Sequence, residues 1–226
     1  MAAKDDLLAE ISSILAPGGV DLISASELDD LYEAYVMTAL IQAALAEQWT
    51  VQLEDINEAP SSTALFRRSP GNIYSAPGGQ AFTHFSLTKA GAPDLEAHIG
   101  IKVTGKSDVE HECDVALLPK EAARFCRANR VHPRSARLLF AAECKYYLGN
   151  ITLGLGRAFI GLATEMTSQY GECHFVVNTT SPSVMKMLAR QKRRRHEDVR
   201  PATGRFESLR EACRELLHSY YMRVRV

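Results

Sequence analysis

The chain has 226 residues, 46% of them hydrophobic, with 27 acidic residues, 26 basic ones and a formal net charge of −1. That much apolar sequence buries a core, which excludes a disordered chain, and no apolar run approaches the roughly twenty residues of a membrane-spanning helix. Five cysteines without a CxxC pair, and an opening "MAAKDDLLAE" that is acidic rather than leader-like, are expected of reduced thiols in a cytoplasmic protein with no membrane partner.

"DDLLAEISSIL" predicts a short amphipathic helix stopped by "APGG". The longest helix is expected over "ISASELDDLYEAYVMTALIQAALAEQ", with Ser24 and Glu27 as a capping box and Asp29 and Asp30 suited to its first turns. "WTVQLED" predicts a strand, and residues 57–80, with three prolines, mostly loop. "AFTHFSL" and "EAHIGIKV" predict a hairpin, "HECDVALLP" a further strand, and "KEAARFCRANR" a helix closed by Pro133. "ARLLFAAECKYY" predicts the most apolar strand. A helix over "NITLGLGRAFIGLATEMTSQY" follows, with Gly154, Ala158 and Gly161 on a face expected to pack closely on the sheet. "CHFVVNT" predicts a strand, and "SPSVMKMLARQKRRR" and "RFESLREACRELLHSYY" two helices joined by a polar linker. The order predicts one α/β domain over residues 1–226: a central mixed β-sheet with helices on both faces, a core over about 25–180 and a basic helical C-terminal extension over 181–226.

Charge is unevenly spread along this order. Residues 1–66 hold twelve acidic residues and one basic residue, Lys4, whereas residues 186–226 hold twelve Lys and Arg against five acids. Between them, Lys120, Arg124 and Arg127 share one helical face. Two basic zones in a near-neutral protein are what a polyanion-binding surface needs.

The last strand ends on charge. Alternation puts Glu143 and Lys145 on one face and Cys144 on the other. Asp114 stands at the edge of the apolar run "VALLP", and Glu33 shares the apolar side of its helix with Val36, Met37 and Leu40. Charges placed beside core-forming sequence need a partner or a metal. The seven histidines show no HxxxH spacing, so no zinc site is expected; His111 is expected as an edge histidine.

A helical Glu33, then Asp114, then Glu143-Cys144-Lys145 and a following helix, over roughly residues 25–180, resembles the PD-(D/E)XK nuclease superfamily, the restriction-endonuclease-like fold. Cys113 stands where the family's name has proline, and Glu112, on the same strand face as Asp114, is the alternative second carboxylate. The resemblance implies a metal-dependent endonuclease that hydrolyses phosphodiester bonds of nucleic acid, with DNA as the expected substrate and bacterial antiviral defence or DNA processing as the expected setting. It implies Mg²⁺, with Mn²⁺ as an alternative, held by Asp114, Glu143, Glu33 and the backbone carbonyl of Cys144. Lys145 would orient and help deprotonate the attacking water.

Lys120, Arg124, Arg127, Arg157, Lys192, Arg193 and Arg194 are the expected contacts to nucleic acid. A homodimer would suit cutting both strands, and the acidic N-terminal region would suit a protein partner. Two other readings fit the same residues. One is a non-catalytic nuclease-fold subunit that binds nucleic acid or docks in a larger complex; the other is an enzyme acting on a nucleotide.

Overall fold

The computed structural model describes residues 2–19, 21–22, 27–76, 79, 81–201 and 203–225. Helix α1 (Ala2–Leu15) leads into a two-residue strand β1 (Asp21–Leu22), which pairs in parallel with β3 (Thr63–Ala64) in a small separate sheet. Ser24, the expected capping residue, lies outside the described residues; α2 (Leu28–Ala46) starts after Glu27.

Seven strands form the main sheet: β2 (Thr50–Asp55), β4 (Thr83–Thr88), β5 (Leu95–Thr104), β6 (Glu110–Pro119), β7 (Phe140–Lys145), β8 (Glu172–Val177) and β9 (Arg194–His196), in that spatial order. The first five are antiparallel neighbours; β7–β8 and β8–β9 are parallel. Parallel neighbours need long crossovers, supplied by α4 (Leu153–Met166) between β7 and β8 and by α5 (Pro182–Arg190) between β8 and β9. Helix α3 (Lys120–Asn129) links β6 to β7, and α6 (Arg205–Val224) closes the chain.

The two faces of the sheet carry two cores. Leu40, Leu87, Val115, Phe140 and Leu217 belong to one, under α1, α2 and α6. Ala123, Phe159, Phe175 and Leu188 belong to the other, under α3, α4 and α5. The middle of α2 is apolar on most sides because the sheet, α1 and α6 cover it. Tyr32 spends its hydroxyl on the Val199 carbonyl at 2.9 Å.

Four expectations are corrected. The strand expected over 136–147 is regular only from Phe140 to Lys145, because Ser135–Arg137 make a 3₁₀ turn. The helix expected through Arg195 ends at Arg190, and Arg194–His196 become the edge strand β9. Helix α5, β9 and α6 are therefore built into the sheet and the core, since α6 packs Leu209, Cys213 and Leu217 against the α2 side. On α4, Gly154, Ala158 and Gly161 face solvent, and the close approach is made by Gly156, where an added Cβ would stand 2.6 Å from Met187 of α5. All five cysteines are free and buried. No helix among the described residues is long and apolar enough to cross a membrane.

Candidate active site

Strands β6 and β7 pair only at Val115–Ala142, Ala116–Ala141 and Leu117–Phe140. Beyond Val115 and Ala142 they part, and the first residues past the last pair are Asp114 and Glu143. Asp114 also lacks its partner on the other side, because the β5–β6 ladder runs through Ile99–Val115 and Ile101–Cys113 and skips Gly100–Asp114. Gly100 sits at φ +62, which suits a residue without Cβ, and its carbonyl accepts instead from the Gly71 N–H at 3.0 Å.

The gap is filled by side chains. Asp114 Oδ2 accepts the Cys144 backbone N–H at 2.7 Å, a donor turned toward β6 with no ladder partner there. A residue's N–H and C=O leave a strand on the same side, so the Cys144 carbonyl faces the same gap. Lys145 Nζ lies 2.8 Å from Glu143 Oε1 and 3.2 Å from Asp114 Oδ2. Cys144 is buried in the core, as strand alternation requires. Glu33 is the one residue of α2 between Leu31 and Ile41 that is not fully buried, and it interacts electrostatically with Asp114, Glu112 and Lys145.

Four carboxylates thus share one region with one ammonium. Asp114 is only 1% exposed; burial raises its pKa, and Lys145 and the Cys144 N–H offset that only in part. Burial and then the charge of Asp114 raise the pKa of Glu143 and of Glu112. Burial, Asp114 and Glu112 push Glu33 up to about 10. Burial alone would lower Lys145, but Asp114 and Glu143 outweigh it and hold the ammonium charged. Such a set lacks positive charge, and its donors are all oxygen. Oxygen donors are those a hard divalent cation such as Mg²⁺ or Mn²⁺ would take.

The expected contacts to nucleic acid are scattered. Arg157 is exposed in the second turn of α4, the helix that follows β7 after the loop 146–152. Lys192, Arg193 and Arg194 lead into β9, two strands from β7, with Arg194 level with His174 and Ala142 and so toward the end of the strands where β7 begins. Arg193 donates to Thr164 Oγ1 at 2.7 Å and Arg194 to Glu172 Oε1 at 2.7 Å.

The basic face of α3 points inward, which corrects the expectation of a docking surface there. Lys120 is buried and gives Nζ to Glu54 Oε2 at 2.6 Å and Ser86 Oγ at 3.0 Å. Arg127 forks onto both oxygens of Glu96, at 2.7 and 2.8 Å. Arg124 forks onto Glu58 at 2.7 and 2.6 Å, and only this side chain stays largely exposed, at 57%. His111 lies 3.8 Å from Glu165, at the edge.

Under α3, the structure assembles a second group that the linear spacing of histidines did not show. His84, Glu96 and His98 are buried together and could hold a metal ion. The missed signal was alternation: His84 and Ser86 on β4, and Glu96 and His98 on β5, line one face of each strand, a pattern that ordinarily marks a solvated face. Here α3 covers it. No family model, curated protein or solved structure matches the chain.

Proposed function

We propose that this protein is a divalent-metal-dependent nuclease of the PD-(D/E)XK kind that hydrolyses phosphodiester bonds in DNA. The observation that carries the reading is the convergence of Asp114, Glu143 and Lys145 where β6 and β7 part. The order of elements supports it too: a helix bearing Glu33, the β5–β6 hairpin, β7 with Glu-x-Lys, then α4 and parallel β8.

Asp114, Glu143, Glu33 and the Cys144 carbonyl would hold the ion, with Glu112 beside them. When bound, the ion supplies charge neutralisation and Lewis acidity toward an anionic diester that resists attack by water. Lys145 keeps its proton in the carboxylate cluster, donates to both Asp114 and Glu143, and offers a cationic donor to an attacking water and to charge developing on the phosphate. Asp114 is fixed by the Cys144 N–H, so its carboxylate is oriented before substrate arrives. Exposed Arg157, beside the bare surfaces of Gly154, Ala158 and Gly161, lets a phosphate backbone approach α4 closely.

The test is cleavage of supercoiled, linear and single-stranded DNA and of RNA, with Mg²⁺, Mn²⁺ or chelator. Wild type should cut DNA only with metal. Asp114→Asn and Glu143→Gln should lose metal binding by calorimetry together with cutting. Lys145→Ala should keep metal binding and lose cutting by roughly 10²–10⁴-fold. Undiminished cutting by the two carboxylate variants would remove the proposed centre.

A further inference from the structure

His84, Glu96 and His98 lie in one patch of the sheet, and its register explains why. His84 on β4 stands directly across from Glu54 on β2, while Glu96 and His98 point from β5 to the same face. His84 and Glu96 are 1% and 0% exposed. Both ring nitrogens of His84 lack a hydrogen-bond partner, although burying a polar group without one is costly. The imidazole is not out of reach of acceptors: its Nε2 is 3.5 Å from Glu96 Oε2 and 3.7 Å from Glu54 Oε2. Those separations are longer than the roughly 2.7–3.2 Å of a well-made N–H···O bond. They match neighbouring ligand atoms on a tetrahedral Zn²⁺ with bonds of about 2.0–2.1 Å, which stand roughly 3.3–3.4 Å apart. His98 Nε2 reaches the same oxygen at 2.8 Å, a hydrogen bond that an ion between the two would replace.

We propose that His84 Nε2, His98 Nε2 and Glu96 bind one Zn²⁺-class ion, with Glu54 Oε2 next to them, as a structural clamp joining β4 to β5. The site is independent of the nuclease reading, and its nitrogen donors make it chemically distinct from the all-oxygen centre at Asp114. Arg127 takes the outer role that holds a ligating carboxylate in place, through its two bonds to Glu96. Lys120 and Arg127 are also cations close by, and they oppose the ion's charge. The clamp is therefore weaker than an uncharged pocket with the same ligands would be, and removing the ammonium in Lys120→Met should tighten it.

The experiment uses the full chain stripped with chelator, then titrated with Zn²⁺ and with Co²⁺. Elemental analysis should find one Zn²⁺ per chain, and Co²⁺ should give the visible bands of a low-coordinate site with imidazole ligands. Asp114→Asn should leave both unchanged. His84→Gln and His98→Asn should each weaken Zn²⁺ binding by at least about 100-fold. His84 makes no hydrogen bond but is buried and stacks on His98, so circular dichroism is used to confirm that each variant keeps the fold. Absence of Co²⁺ bands in wild type, or wild-type binding in His84→Gln, would overturn the site. Loss of Zn²⁺ in Asp114→Asn would instead place the ion at the carboxylate centre and overturn it equally. Cleavage assays with Mg²⁺ judge the nuclease reading separately.

Discussion

Glu33 shows how much one carboxyl group depends on its surroundings. On the sequence it is an acid just before an apolar stretch; in the fold it faces Asp114 and Glu112, and burial with those charges raises its pKa far above the carboxylate range. A raised acid pKa favours the folded state at low pH, and that contribution fades as pH rises above the unfolded value of about 4.3. Glu33→Gln should therefore make the metal-free protein more stable at neutral pH, by on the order of 1 kcal/mol. It should also raise the Mg²⁺ concentration needed for cutting. Urea unfolding in chelator, beside a Mg²⁺ titration of activity, tests both; unchanged stability and metal requirement would leave Glu33 as a helix-start acid only. The identities of Asp114, Glu143 and Lys145 as candidates were legible because each breaks an apolar run. That Asp114 is tied to the Cys144 N–H was not legible, because it depends on where two strands separate.

Among the elements, α3 departs furthest from expectation. Its basic stripe was legible from spacing, but which way it faces is a tertiary fact. Lys120 and Arg127 meet Glu54, Glu58 and Glu96 on β2, the turn after it and β5, and they neutralise a polar sheet face that would otherwise be solvated. Lys120→Met should cost about 3–5 kcal/mol, because Glu54 is left buried without its cation. Equilibrium urea unfolding measures this. A variant as stable as wild type, but with weaker DNA binding and a shallower salt dependence, would return Lys120 to a phosphate-binding role. At the other end of the sheet, the run Arg193–Arg195 looked like a helix end, and pairing with β8 drew it into a strand. Local preference cannot foresee an edge that a neighbouring strand offers.

For the molecule as a whole, part of the charge asymmetry is met by internal pairing. Glu54 and Glu58 from the acidic N-terminal zone meet Lys120, Arg124 and Arg127, and Glu47 meets Arg214 and His218 of the C-terminal zone. Buried histidines set the response to acid. Glu172 Oε2 accepts from His174 Nε2 at 2.9 Å, so in the neutral ring His174 Nδ1 accepts from His196 Nε2 at 3.0 Å. Burial lowers the pKa of His174, with Glu172 opposing; burial, His174 and Arg194 lower that of His196 to about 3. A histidine depressed in the folded state stabilises it fully above the unfolded value of about 6.5, and that stability is lost as pH falls below it. The histidine contribution to the unfolding free energy should decline below about pH 6.5, by up to roughly 1.4 kcal/mol per pH unit for each such histidine, against an opposite slope from Glu33 that Glu33→Gln removes. Urea midpoints measured between about pH 7 and pH 5 check this, with His174→Gln giving a flatter profile. A midpoint independent of pH over that range would show that these rings bind protons alike in the folded and the unfolded chain.

Sequence by itself determined the α/β class and most of the strands and helices, and singled out Glu33, Asp114, Glu143 and Lys145 as candidates, because period and a charge at the end of an apolar run are local signals. Only the tertiary structure decided that β6 and β7 part at Asp114, that α3 turns its cations inward, and that His84 meets His98 and Glu96. Each of these depends on register between strands, and residues 12 or more positions apart become neighbours only when a sheet closes. A polar alternation along a strand says that one face is polar; whether water, a ligand or a helix covers that face is settled by what packs above it.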